Sequence, residues 1–161
     1  MKRRLQNGDV FSIPIAEDKF GYGQVIVKGS VFYIVVFRGT SPDVGGVSDA
    51  LGSEIELCGW TLDGLIHVGH WVVLGNFEIR RQSVPMPSYK VLINGEFFVE
   101  SFDKSERRVA TSNEVDFLDY RSTIAPIIFE DAIKSTCGHA PWEDLFESIT
   151  ARYAKAREVP L

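Results

Sequence analysis

A continuous run of β-branched and aromatic residues, Val-Phe-Tyr-Ile-Val-Val-Phe over residues 31–37, constrains this chain more than any other feature. A strand without polar alternation is typical of a position covered on both faces of a sheet, because none of its side chains gains from contact with water. We therefore predict a central strand over residues 31–37.

The segment before this run predicts a hairpin. Phe11, Ile13 and Ile15 occupy alternate positions, so they share one face of a strand that points inward. Pro14 cannot donate to a strand ladder, which predicts an edge position or a bulge there. A polar connection over residues 16–19 then leads into a second apolar segment, which is expected to return beside the first.

Four further regions carry strand, loop or turn signals. Residues 54–57 and 65–74 are predicted strands, whereas residues 38–52 are rich in glycine and small polar residues and are predicted to form a loop. Asn94-Gly95 lies between two β-prone runs. This pair predicts a two-residue type I′ turn, because both of its central positions require a positive φ.

The end of the chain changes character and predicts two helices. Pro126 suits a first helical position and Gly138 suits a helix stop. A second helix is predicted from Pro141, with an apolar stripe at helical spacing that we expect to pack on the sheet. The stripe consists of Trp142, Leu145, Phe146, Ile149 and Tyr153.

These elements together predict an α+β fold. We expect an antiparallel, partly barrel-like (SH3-like) β-sheet with two C-terminal helices packed on it. A chain of 161 residues suits one domain over residues 1–161. This domain is expected to be β-rich over residues 8–120 and to end in a helical tail over residues 124–157.

The charge balance narrows the class of partner. Seventeen Lys and Arg against 22 Asp and Glu give a formal net charge of 17 − 22 = −5, which repels a polyanion such as nucleic acid. A basic partner is favoured instead, because opposite net charges speed encounter.

Cysteine usage and apolar run length predict the compartment. Cys58 and Cys137 fit neither a metal-ligand spacing nor a disulfide framework, so we interpret them as reduced thiols of a cytoplasmic protein. The basic N-terminus is followed by Asn7-Gly8-Asp9 rather than by the apolar core of a signal peptide. No apolar run reaches the roughly 18 residues of a membrane-spanning helix.

The glycine-rich segment Gly21-Tyr22-Gly23 raises the question of a phosphate-binding loop. Such a loop opens a helix, whose N-terminal amides meet the anion, whereas Gln24 and Val25 continue into strand-like sequence. The two glycines are therefore expected to allow bent backbone or a close approach in a curved sheet.

The remaining reactive side chains do not form a catalytic or metal-binding set. His67 and His70 are expected on opposite sides of a strand, so they would not chelate one ion. Cys137 and His139 flank Gly138, where a helix cap explains them better than nucleophilic catalysis. We accordingly predict no enzyme, no metal and no cofactor.

Three blocks of the sequence resemble the Imm26 family of bacterial immunity proteins. They are GDVFSIPI at residues 8–15, FGYGQV at residues 20–25 and GHWVVLGN at residues 69–76. The positions that match the family pattern are expected to shape turns rather than to touch a partner. They are Gly8, Asp9, Gly21, Gly23, Gln24, Trp71, Gly75 and Asn76.

The resemblance implies a cytoplasmic protein that is encoded near a polymorphic or contact-dependent bacterial toxin, neutralises this cognate toxin by direct binding and carries no catalytic residues. Its acidity would suit a nuclease toxin with a basic substrate groove. Candidate aromatic anchors are Tyr22 and Trp60, for which burial in the core is an equal alternative. The candidate acidic contacts are Glu54, Glu56, Asp63, Asp116 and Asp119.

An alternative from another class remains open. The chain could be a β-barrel module that binds a small ligand or nucleic acid, or a weak hydrolase that uses Cys137 and His139. A deep polar pocket with these two side chains in contact would favour the hydrolase. A solvent-exposed or capping His139 would count against it.

Overall fold

The computed structural model describes residues 4–161, which fold as two compact units. The first unit contains the chain up to Val84 together with Thr123–Thr150, and the second contains Pro85–Ser122 and Ala151–Leu161. The α+β class with antiparallel sheets is confirmed.

The first unit is built on a five-stranded antiparallel sheet that is open rather than closed into a barrel. Its strands stand in the order β4-β3-β2-β1-β5. They are β1 (Asp9–Ala16), β2 (Lys19–Val27), β3 (Phe32–Phe37), β4 (Ile55–Thr61) and β5 (Val72–Asn76).

The predicted hairpin and interior strand are confirmed. β1 pairs with β2, and the register shifts between Pro14 and Ala16, where the proline was expected to disturb the ladder. β5 pairs only with Asp9 to Ser12, so Pro14 lies beyond that pairing. β3 lies between β2 and β4, one position from the middle of the sheet.

The prediction of an irregular loop over residues 38–52 is wrong in its second half. A 3₁₀ helix, Val44–Gly46, leads directly into α1 (Val47–Leu51). The carboxylate of Asp43 accepts a hydrogen bond of 2.8 Å from Gly45 N, and this local cap starts the helix.

The prediction of a strand over residues 65–74 is also wrong in its first half. Residues Gly64–His67 form the short helix α2, and strand β5 begins only at Val72. The Leu65 carbonyl accepts hydrogen bonds from His70 N at 2.9 Å and Trp71 N at 3.0 Å. These two bonds close a turn at the end of α2. The turn holds this part of the chain in a helical rather than an extended conformation.

Helix α4 (Pro126–Thr136) covers the sheet and closes the core. Pro126 occupies the first helical position and Gly138 has a φ of 79°, so both predicted helix signals are confirmed. Phe129 and Ile133 are fully buried against the sheet. The sheet residues of this core include Phe11, Ile13, Val25, Ile34, Val36 and Leu57, and Trp71 joins them from the segment before β5.

A single helix from Pro141 does not form. A 3₁₀ helix over Asp144–Ile149 ends at the extended residue Thr150, and α5 (Ala151–Ala156) belongs to the second unit. Thr150 is drawn into a β-bridge with Leu57, which is incompatible with a continuing helix. Phe146 and Ile149 pack in the core as expected.

The two edges of the five-stranded sheet differ. At β4, Trp60 O accepts a hydrogen bond of 2.8 Å from Ile124 N, and Thr61 Oγ1 donates one of 2.6 Å to Ile124 O. At β5, no strand within residues 4–161 pairs with the outer edge. An open edge is a template for pairing with another chain.

The second unit contains a three-stranded antiparallel sheet in the order β6-β7-β8. Asn94 and Gly95 have φ values of 50° and 80°, which confirms the predicted two-residue turn. The elements of this unit are β6 (Tyr89–Ile93), β7 (Glu96–Glu100), β8 (Arg107–Val109), α3 (Ser112–Phe117) and α5.

The net charge is divided unequally between the units. The first unit has nine Lys and Arg against 14 Asp and Glu, a formal charge of 9 − 14 = −5. The second unit has eight of each and is formally neutral. The acidity of the chain is therefore a property of the first unit alone.

The pKa of Glu114 in α3 allows its interaction with Arg108 to be tested by pH. Two hydrogen bonds from the Arg108 guanidinium, of 2.8 and 2.6 Å, and one from Thr111 N lower the pKa of Glu114 from 4.5 to about 2. These hydrogen bonds to the ionised carboxylate therefore stabilise the folded state above pH 4.5, and this contribution is lost as the pH falls towards 2.

A carboxyl-detected NMR titration should place the Glu114 midpoint near the lower value in the native chain. In Arg108→Gln the midpoint should move up towards the ordinary value for glutamate, because the charged donor is gone. A midpoint that is the same in both chains would contradict the role given to Arg108.

Candidate protein-binding surfaces

The polar residues of the resemblance blocks meet in one hydrogen-bond network. Asp9 Oδ1 accepts from Asn76 Nδ2 at 2.9 Å, and Asp9 Oδ2 accepts from Gln6 N at 2.9 Å. Gln24 Nε2 donates to the carbonyl oxygens of Gly8 at 3.2 Å and Phe77 at 3.0 Å. The network joins β1, β2 and β5 at the end of the sheet, and Asp9 and Gln24 are buried within it.

Replacing Gln24 with glutamate should expose the importance of this network. The substitution keeps the shape but puts a carboxylate against the carbonyl oxygens of Gly8 and Phe77, so we expect a loss of about 2 kcal/mol in the free energy of unfolding at pH 7. Part of this loss should be recovered at pH 4, where a protonated carboxyl can donate again.

Urea unfolding followed by tryptophan fluorescence measures this effect, because all three tryptophans belong to the first unit. The exposed Gln82→Glu provides a matched control, and its stability should change by less than about 0.5 kcal/mol. Equal stabilities for the two variants would contradict the prediction.

The apolar positions of the same blocks lie inside the first unit. Trp71 is 1% exposed and its ring stacks on Phe11, with centroids 5.0 Å apart. Gly21 and Gly23 are buried, Gly75 is half-buried, and Gly8 has a φ of 93° that favours glycine. We propose that the matching positions maintain the scaffold rather than contact a partner.

Tyr22 lies away from the surface. Its side chain is fully buried, and its hydroxyl contacts Ser41 Oγ and donates to Asp43 O at 2.7 Å. A partner would therefore reach this ring only after the loop before α1 had opened. Its position corresponds to the alternative given in the sequence analysis, in which Tyr22 is a core aromatic.

Trp60, Glu54 and Glu56 lie on or beside β4. The half-buried Trp60 ring lies 5.1 Å from that of Tyr33, and its strand edge is the one covered by Ile124. Arg38 forms ion pairs of 2.7 Å with Glu54 and 2.8 Å with Glu56. Arg38 thus offsets part of the negative charge that these carboxylates would offer a basic partner.

Asp63 stands at the start of α2 and lines a groove that we call the β5 groove. The groove has a volume of about 760 Å³. Its lining residues include Arg4, Lys28, Phe32, Asp63, Ile66, His67, Val68 and Val72. Val68 is 73% exposed and Val72 49%, so the wall beside the open edge of β5 is apolar. Its lining carries charges of both signs.

Asp116 and Asp119 belong to the second unit. Asp116 is exposed on α3, whereas Asp119 accepts a hydrogen bond of 2.7 Å from the Tyr153 hydroxyl. The acidic candidates therefore lie on separate elements of the two units. Glu54 and Glu56 lie by β4, Asp63 lies at the β5 groove, and these two lie in the other unit.

The histidines occupy different positions from those predicted. His67 ends α2 and His70 precedes β5, so the strand geometry assumed for them is wrong. His139 is exposed, and its backbone N donates to Lys134 O at 2.9 Å in the turn that ends α4. This capping position counts against a Cys137–His139 catalytic pair. Within residues 4–161 no cluster of metal-ligating side chains occurs.

One buried carboxylate was not anticipated from the sequence. Glu130 on α4 is 2% exposed and accepts hydrogen bonds from His70 Nε2 at 2.8 Å, Trp71 Nε1 at 3.0 Å and Lys134 Nζ at 3.1 Å. Its i,i+4 spacing from Lys134 was a local signal, but the pairing with Trp71 depends on tertiary structure. The bonds from His70 and Trp71 indicate that Glu130 ties α4 to the segment that precedes β5.

The comparison with known families agrees with the resemblance in the sequence. The family model of Immunity protein 26, Imm26, matches residues 6–136. The chain belongs to the Imm26 family. The match includes all three resemblance blocks and extends to the end of α4. No curated protein and no solved structure gives a significant match.

As a member of Imm26, this chain belongs to a family of immunity proteins. The family suggests a non-catalytic role and implies that the partner is a toxin. Within residues 4–161, none of the helices has both the length and the apolar character that crossing a bilayer requires.

A further exposed surface of this Imm26 protein follows the matched span. Trp142 is 44% exposed and Leu145 is 51% exposed, although the sequence predicted that both would pack on the sheet. A 3₁₀ helix has three residues per turn, so an apolar stripe spaced for an α-helix does not remain on one face. We call Trp142, Glu143, Asp144 and Leu145 the Trp142 patch.

Proposed function

We propose that this Imm26 protein neutralises a cognate bacterial toxin by binding it directly, without catalysis. The family match over residues 6–136 carries the proposal. Binding alone can neutralise a toxin if the complex is tight, and a preformed surface favours tight binding because little conformational entropy is lost.

The charge distribution supports a toxin with a basic surface. The formal charge of −5 lies entirely in the first unit. A nuclease is a suitable class of toxin, since its substrate groove attracts a polyanion and would also attract an acidic protein. Electrostatic attraction of this kind speeds encounter and weakens as salt concentration rises.

We further propose that the protein acts in the cytoplasm. Cys58 is buried and Cys137 half-buried, and no disulfide joins them. Thiols persist in a reducing compartment, which suits neutralisation of a toxin inside the cell.

Co-expression with the toxin-like product of the adjacent gene tests the proposed function. We expect growth to be restored and the two proteins to co-purify as a stoichiometric complex at moderate salt. An empty vector and an unrelated acidic protein of similar size are the controls. If the chain neither restores growth nor forms a complex, the proposed function is wrong.

The β5 groove favours a second candidate function, the binding of a small apolar ligand with an acidic head group. Its apolar wall includes Val68 and Val72, and its lining also includes the basic residues Arg4 and Lys28. Titration calorimetry with dodecanoate tests this candidate. Saturable binding that is lost in Val72→Asp would support it, and absence of binding would remove it.

A further inference from the structure

We infer that the Trp142 patch is the surface on which this protein docks the basic face of its toxin. This inference rests on the proposed function and adds the contact surface and the chemistry of the partner. It starts from an exposed indole and an exposed leucine, three residues apart, within residues 135–151, which contain no Lys or Arg.

The exposure of Trp142 distinguishes it from the other two tryptophans. Trp71 is 1% exposed and Trp60 is half-buried beside Tyr33, whereas Trp142 exposes 44% of its surface. Leu145 exposes 51% close by in the chain. Tryptophan is the residue type most enriched among the side chains that dominate binding energy, and neighbouring apolar residues help to exclude water around it.

The patch is held in place by the core of the first unit. The Trp142 ring meets Phe146 edge to face, with centroids 5.3 Å apart, and Phe146 is 2% exposed. Phe146 N donates to Glu143 O at 3.0 Å, and the segment ends at the bridge between Thr150 and Leu57. Binding therefore requires little new ordering of this segment.

Charge complementarity identifies the chemistry of the partner. Between Lys134 and Arg152 there is no Lys or Arg, and the acidic residues there are Glu143, Asp144 and Glu147. Glu143 and Asp144 are exposed and lie between Trp142 and Leu145 in the sequence. A partner that presents arginine or lysine around an apolar depression fits this arrangement, because a cation also binds the face of an indole.

Two other surfaces of the first unit fit a basic partner less well. Arg38 already pairs with Glu54 and Glu56 near β4. The lining of the β5 groove includes Arg4, Lys28 and Asp63, so it offers no single sign of charge.

The test measures affinity for the product of the adjacent toxin-like gene, purified with a substitution that disables its activity. We expect Trp142→Ala to raise the Kd by at least about 30-fold and Leu145→Ala by about fivefold. The double variant Glu143→Gln with Asp144→Asn should slow association and reduce its dependence on salt.

Two substitutions in the second unit are matched controls. Leu92 has the same exposure as Leu145, 51%, and Glu96 is an exposed acidic residue. Leu92→Ala and Glu96→Gln should leave the Kd within about twofold of the wild-type value. Thermal unfolding of each variant should match the wild type, which separates lost binding from lost folding.

The outcomes distinguish the surface from the function. Loss of affinity in the two patch variants but not in the controls supports the inference. If Trp142→Ala and Leu145→Ala bind as tightly as the wild type, or if only Val68→Ala and Val72→Ala in the β5 groove weaken binding, the surface is wrong and the proposed function stands. If the wild-type chain itself does not bind, both are overturned.

Discussion

Replacing Glu130 with leucine is expected to lower the free energy of unfolding of the first unit by about 3–4 kcal/mol. The carboxylate is 2% exposed and accepts from His70, Trp71 and Lys134. Without it, the buried Trp71 Nε1 loses its acceptor, and Lys134 loses its ion pair. A buried donor that loses its partner incurs the full desolvation penalty.

The conservative variant Glu130→Gln should cost less, about 1–2 kcal/mol, because an amide oxygen can still accept from Trp71. Asp131→Leu, at the next position of the same helix, is the control and should change stability by less than about 0.5 kcal/mol. Urea unfolding followed by tryptophan fluorescence compares the three variants. If Glu130→Leu unfolds at the wild-type midpoint, the carboxylate does not tie α4 to the sheet.

Gly23→Ala is expected to cost about 3 kcal/mol, because no space exists for its methyl group. A Cβ at this position would lie 2.3 Å from Phe11 Cζ and 3.1 Å from Val35 O. The Phe11 ring cannot easily move, since it stacks on the buried Trp71. Overpacking of a closed core forces strained rotamers and backbone shifts.

The control for this prediction is Gly64→Ala. No atom lies within 4 Å of a Cβ built at Gly64, which begins α2, so its stability should stay within about 1 kcal/mol of the wild type. Combining Gly23→Ala with Phe11→Leu should recover part of the loss, because the smaller side chain makes room for the methyl group. Strictly additive effects would show that the clash with Phe11 is not the cause.

The candidate site was predictable only in part. Acidity and the resemblance pointed to a basic protein partner, and both are readable in the sequence. The choice of anchor was not readable, because Tyr22 lies between two glycines and Trp142 lies in an apolar stripe, and neither pattern shows whether the ring is exposed. The structure buries Tyr22 completely and leaves Trp142 44% exposed.

Local chemistry determined the turns and helix ends from the sequence by itself. Asn94 and Gly95 adopt positive φ, Pro126 starts α4, and Gly138 follows its end with positive φ. Each of these features depends on the conformational range of one or two residues, so it does not depend on which elements pack against it. The β1–β2 hairpin follows in the same way from alternation and a short connection.

Only the tertiary structure decided which apolar residues are buried and which remain exposed. The turn closed on the Leu65 carbonyl replaced half of a predicted strand, and the bridge between Thr150 and Leu57 divided a predicted helix. An apolar pattern states that a side chain gains from burial, but it does not identify the element that buries it. In this chain Phe146 reached the core while Trp142 and Leu145, from the same predicted stripe, remained exposed.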